Sequence, residues 1–210
     1  MLLLLAATLA LGLQAPPARA EGILQVLERS QQIQLDALRR MKLDDADARS
    51  QRIHATFDAV LAHLNVDPNV PLIVVRAPIL AVCLMGKVVV VNEALADLTE
   101  SERAFILAHE LGHIAHNHWA QLGELYLQHI PGEVVQQHTD GVAGRLGREA
   151  SALTHQQEYE ADGFALRLLR RMGAPDDTPI VLFQQHLPPV KTTATHPGTA
   201  QRVAHLRELQ

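Results

Sequence analysis

Apolar residues recur at helical spacing in two stretches near the start of the chain. Ile23, Val26, Leu27, Ile33, Leu38 and Met41 mark a helix over 22–43, and Ile53, Phe57, Val60, Leu61 and Leu64 mark a second over 46–64. The acidic cluster Asp44-Asp45-Ala46-Asp47 breaks the pattern between them and offers an N-cap to the second. Asn65 to Asn69, with Pro68 inside it, is a turn. The pattern then changes to short β-branched runs. Pro71 to Val75, Leu80 to Leu84 and Val88 to Val91, separated by Pro78 and Gly86-Lys87, predict a small sheet of two or three strands with at least one open edge.

A helix with clear start signals follows. Thr99 and Glu102 fit a capping box, and the apolar positions Phe105, Leu107, Leu111 and Ile114 carry the helix to about Trp119. Between Gly123 and Gly147 the glycines and Pro131 interrupt any period, and the segment reads as mixed helix and loop. Ala152 to Met172 is a long helix closed by Gly173-Ala174-Pro175. A loop around Pro188-Pro189 and Thr195-His196-Pro197 leads to a short final helix from Thr199 to Leu209.

Composition narrows the choice of function. The 210 residues suit one compact domain, and the formal charge of −5 with dispersed Lys and Arg argues against nucleic-acid binding. Leu2 to Leu13 is apolar, Pro16-Pro17 breaks it, and Ala18-Arg19-Ala20 forms an A-x-A site. Residues 1–20 are therefore expected to be a signal peptide and 21–210 a single domain. The apolar run is shorter than the ~20 residues a membrane span needs. The expectation is export across the inner membrane to the periplasm, with no transmembrane segment in the mature chain and association with a membrane surface left open. Cys83 is the only cysteine, which rules out an internal disulfide and a thiolate-held zinc. Set in an apolar run, it reads as a small buried hydrophobe.

The chemistry lies in His109-Glu110-Leu111-Gly112-His113, an H-E-x-x-H pattern inside the capped helix. Positions i and i+4 share a helix face, so both imidazoles can reach one metal ion. Glu110 lies about 100° round from His109, beside the metal, where a carboxylate can act as general base. A catalytic zinc needs a third protein ligand. The longer pattern H-E-x-x-H-x-x-G-x-x-H fails, because His116 and Trp119 stand where Gly and His are required. A carboxylate from the later helix can serve instead: Glu158 could bind the metal, while Asp162, at i+4, accepts a hydrogen bond from a ligand histidine.

These residues, with Glu158-Tyr159-x-Ala161-Asp162, Thr195-His196-Pro197 and Arg202, resemble the M48 zinc metallopeptidases over roughly residues 50–207. The likeness is greatest to the soluble periplasmic quality-control members. It implies an α+β fold, mainly helical and zincin-like, with a small β-sheet against the H-E-x-x-H helix. It implies one zinc per chain held by His109, His113 and Glu158, and an edge strand that docks substrate backbone. The Asn-Ala-Phe-Ala frequent in the family is Leu80-Ala81-Val82-Cys83 here, and where the family frequently has a Ser-Arg pair before the Glu ligand this chain has His155-Gln156-Gln157. Both departures bear on substrate preference rather than on the metal. The resemblance also places His196 and Arg202 near the catalytic cleft; on residue chemistry alone, His196-Pro197 only opens the last helix and Arg202 makes a surface ion pair. His116 and His118 are not expected to bind the metal, Glu160 reads as a surface carboxylate, and Tyr159 as packing. The activity expected is zinc-dependent hydrolysis of peptide bonds in misfolded or envelope proteins. The alternative is a non-proteolytic, chaperone-like protein that keeps zinc for structure, against which the presence of Glu110 argues.

Overall fold

The computed structural model describes residues 21–64 and 69–210. The expected leader and the Asn65–Pro68 part of the first turn lie outside the described residues. Helices α1 (Ile23–Arg39) and α2 (Ala48–Ala62) precede three strands, β1 (Leu72–Val75), β2 (Ala81–Leu84) and β3 (Val88–Asn92). α3 (Glu100–Ala115), α4 (His118–His129), α5 (Gln136–Thr139), α6 (Ala143–Arg171), α7 (Thr178–Val181) and α8 (Thr199–Glu208) complete the chain. The fold is α+β and mainly helical. Among the described residues no helix is long and apolar enough to cross a membrane.

The sheet has the order β1-β3-β2, with β1 parallel and β2 antiparallel to the central β3. Val88 to Val91 are all buried because both faces of β3 are covered. Val88 and Val90 pack with Leu35 and Leu38 of α1, while Val89 and Val91 pack into the larger core with Phe57, Phe105 and Leu107. A continuous apolar run, rather than an alternating one, is what a strand buried on both faces requires. The outer edge of β1 is closed by residues 41–43, through Leu43 N to Val74 O and Arg76 N to Met41 O, both 2.9 Å. β2 therefore carries the open edge of the described sheet, and it lies against α3. Met85 (φ 53°) and Gly86 (φ 61°) make its hairpin turn, the left-handed pair that fits the strand twist.

α3 is the central element. Thr99 and Glu102 form its capping box, and every residue from Glu102 to Gly112 is buried. It stops at Ala115, short of Trp119. Asn117 takes the left-handed conformation (φ 54°, ψ 37°), a state Asn tolerates better than most residues, and α4 starts afresh at His118. α6 begins nine residues before the expected Ala152, with Gly144 and Gly147 inside it. Leu146 explains the early start: it is buried with Ile23 and Ile130, and that packing outweighs the weak helix propensity of glycine.

α3 and α6 cross closely at Gly112. A Cβ there would sit 3.1 Å from Ala161 Cα and 3.2 Å from Phe164 Cδ1. The missing side chain lets α6 approach until Glu158 and Asp162 reach the histidines of α3.

Candidate metal centre

Three side chains from two helices converge beneath the open edge of β2. His109 Nε2 and His113 Nε2 are 3.1 Å apart. Glu158 Oε2 lies 3.5 Å from His109 Nε2, and its Oε1 lies 3.4 Å from His113 Nε2. A zinc ion with bonds of ~2.0–2.1 Å in a tetrahedron needs donor atoms about 3.3–3.4 Å apart. The three sides of this triangle of residues, the two to Glu158 running to different carboxylate oxygens, bracket that value. Glu158 Oε2 is also buried with no hydrogen-bond partner and only the longer 3.5 Å contacts to His109 Nε2 and Arg202 Nη1, so it keeps a lone pair for a closer cation. Two imidazoles and one carboxylate are the donor set of a catalytic zinc site, and the residues present fit the ion.

The ligands are held from behind. Asp162 Oδ1 lies 3.0 Å from His109 Nδ1, and the carboxylate also takes Nε and Nη2 of Arg202. Arg202 Nη2 is 3.2 Å from the same His109 Nδ1, but one nitrogen cannot both donate to Asp162 and accept from Arg202. With Nε2 facing the metal position, Nδ1 carries the proton and Asp162 is its partner. The Arg202 guanidinium stacks on Phe183, 4.6 Å from the ring centre, and its Nη1 is 3.5 Å from Glu158 Oε2. It is a largely covered member of this network, not a surface ion pair.

Charge is arranged to draw a cation into the triangle. Burial and the Arg202 charge work against a proton on His109, yet its contacts with Asp162 and Glu158 prevail and push its pKa up to about 9. Burial likewise opposes ionisation of Glu158, but His109, His113 and Arg202 hold its carboxyl well below the usual carboxylate range. Asp162, fully buried, is kept low against burial chiefly by Arg202.

Glu110 is buried at the neighbouring position on α3 and lines the same cleft, a cavity of about 520 Å³. Leu80 to Cys83 of the β2 edge form one wall, and the 190–197 loop forms another. Cys83 is half-buried at that wall rather than in the core, where burial and nearby Glu110 push its thiol up to about 12. His196 projects from the loop with Nε2 3.6 Å from Glu158 Oε1. The Thr195 hydroxyl is 2.8 Å from its Nδ1, and its backbone N–H donates to Thr193 Oγ1 at 3.1 Å. The loop is tied to α6 through His155 Nε2 and Thr193 O, 2.8 Å apart.

Spacing alone did not reveal two further contacts. His118 Nδ1 is 2.9 Å from His113 Nδ1, and Glu160 Oε2 is 3.2 Å from His118 Nε2. His118 follows His113 by five residues, which on an unbroken helix turns it about 140° away. The left-handed Asn117 is the signal that brings it back. Glu160 is thus a bonded partner and not a free surface carboxylate, and Tyr159 packs against the His205 ring at a tilt of 41°. His116 stacks beside His118 and is not part of the triangle.

The model of peptidase family M48 matches residues 47–210 of this chain. No curated protein matches it.

Proposed function

The chain belongs to peptidase family M48, a family of metal-dependent peptidases, and from that premise we propose that it is a zinc-dependent endopeptidase of misfolded or envelope proteins outside the cytoplasm. His109, His113 and Glu158 hold one zinc ion per chain in this reading. The observation that supports it most is the convergence of His109 Nε2 and His113 Nε2, 3.1 Å apart, on the Glu158 carboxylate, whose two oxygens lie 3.5 and 3.4 Å from them. Export is supported by the composition of residues 1–20.

Zinc held there supplies a Lewis acid that polarises a carbonyl and acidifies a water. The rest falls to the chain's own residues. The open edge of β2 offers unpaired backbone groups to an extended substrate. Glu110 takes the proton of the attacking water on its carboxylate and hands it to the leaving amine. His196, with Thr195 donating to its Nδ1, presents an Nε2–H toward the oxyanion that develops on the scissile carbonyl. Asp162 and Arg202 keep His109 and Glu158 in place.

The test is cleavage of unfolded casein by the chain with and without chelator, beside Glu110→Gln. The amide matches the carboxylate in shape but accepts no proton, so zinc should stay bound while cleavage falls by about 10²–10⁴-fold. His196→Ala should keep zinc and lose cleavage; a rise in cleavage would make this residue a latch over the metal instead. Activity of Glu110→Gln within threefold of the parent would sink the assigned base. Bound zinc without any chelator-sensitive cleavage would favour a chaperone-like protein.

A further inference from the structure

His109 and His113 are supported differently. His109 leans on a buried carboxylate, whereas the nearest partner of His113 Nδ1 is another imidazole, His118 Nδ1, at 2.9 Å. Two nitrogens this close share one proton: one donates and the other accepts. Once His113 Nε2 faces the metal position, its proton sits on Nδ1, and His118 Nδ1 must be the acceptor. The remaining proton of a neutral His118 then lies on Nε2, where Glu160 Oε2 waits at 3.2 Å. Each contact in the row His113–His118–Glu160 fixes the direction of the next.

The fold is bent to make this row. His118 is buried, at 3 % exposure, although it opens a helix. The left-handed Asn117 ends α3 and turns His118 back over His113. Gln157 of α6 donates to the His118 backbone carbonyl at 3.1 Å, and Gln156 donates to Glu160 Oε1 at 3.0 Å. Two successive glutamines on α6 therefore hold the middle and the far end of the row.

We infer that His118, backed by Glu160, is a positioning residue that fixes the Nδ1–H tautomer of His113 and so presents the His113 Nε2 lone pair to the metal. A competing use of the same side chains is a second cation site, since donor atoms of His116, His118 and Glu160 lie within 4.8 Å of one another. A cation on His118 Nε2 would move its proton to Nδ1, against the Nδ1–H of His113. One neutral imidazole cannot serve both, and the two hydrogen bonds favour the relay.

The inference rests on the metal-centre reading and is tested by zinc affinity, measured by chelator competition, and by imidazole nitrogen spectra. His118→Leu removes the acceptor and should weaken zinc by about 10–100-fold. His118→Asn places an amide oxygen where Nδ1 was and should recover most of that loss. In the zinc-loaded parent protein, long-range proton–nitrogen correlation should find His118 protonated on Nε2 only and His113 on Nδ1. That measurement stands even if His118→Leu fails to fold. The relay is overturned if His118→Leu binds zinc as tightly as the parent, if His118→Asn is no better than His118→Leu, or if His118 carries its proton on Nδ1. A second zinc per chain, lost in His118→Leu, would overturn it in favour of the cation site. A parent chain that binds no zinc at all would remove the metal centre itself, an outcome distinct from the others.

Discussion

Asp162 lies where three demands meet: it is fully buried, accepts from His109, and balances the Arg202 guanidinium. Replacing it with Ala should do two separable things. Zinc affinity should fall by about 10–100-fold through the loss of the His109 partner. Stability of the zinc-free chain should fall by about 3 kcal/mol, because Arg202 would lose its two-bond carboxylate partner and keep only the longer contact with Glu158. Adding Arg202→Met to Asp162→Ala should restore much of the stability and none of the zinc affinity. Urea unfolding beside chelator competition checks both, and parallel recovery of the two quantities would refute the division. Residues of this kind are visible in a sequence because i, i+4 spacing on a helix is a statement about direction. Glu158 and Asp162 show as one face, as do His109 and His113, and the structure brings the four together. His118 is invisible by the same logic: its i+5 separation points away until a single left-handed residue redirects the chain, and no spacing rule marks Asn117 as that residue.

Elements begin more legibly than they end. The start of α3 is written in Thr99 and Glu102, whose side chains and backbone N–H groups bond reciprocally. Its end depends on Asn117, and the start of α6 on the burial of Leu146 against distant Ile23 and Ile130. Local propensity holds no record of either. The cap at the head of α3 gives a pH prediction. Burial works to raise the Glu102 pKa, but hydrogen bonds from Thr99 and the His186 contact prevail and lower it from the ordinary 4.5. A carboxylate lowered on folding adds stability above its unfolded value and loses it as the pH falls through the folded one. Glu102→Gln should therefore cost about 1 kcal/mol at pH 7, in the usual range for a lost cap. That gap should begin to close as the pH drops below about 4.5 and be lost once the pH has passed the lowered folded value, where the parent carboxyl is protonated too. Urea midpoints of both chains at pH 7 and pH 3, in chelator, test this; a gap unchanged at pH 3 would separate Glu102 from the acid sensitivity of α3.

At the scale of the whole molecule, the family match starts at residue 47 while α1 lies before it, at Ile23–Arg39. Packing gives α1 a part in the same folded body. Leu35 and Leu38, at 2 % and 5 % exposure, cover the face of the sheet that α2 and α3 leave open. Gln31 accepts from the backbone N–H of Met85, one of the two left-handed residues in the β2–β3 turn. Uncovered, Val88, Val90, Leu84 and Ile73 would form an apolar surface on a three-stranded sheet, and the turn that sets the height of β2 would lose its brace. β2 is also a wall of the cleft, so its displacement would reshape the proposed substrate edge without moving His109, His113 or Glu158. Leu35→Ala should cost about 2–5 kcal/mol, the usual range for an emptied leucine site. A chain shortened to start at residue 47 should be less stable than Leu35→Ala and prone to aggregate through the exposed face. Both chains, where they stay folded, should bind zinc with near-parent affinity, since α3 and α6 carry His109, His113 and Glu158, the proposed ligands. Thermal unfolding with zinc stoichiometry measures the two effects side by side. A shortened chain as stable and as soluble as the parent would show that the sheet face does not need α1.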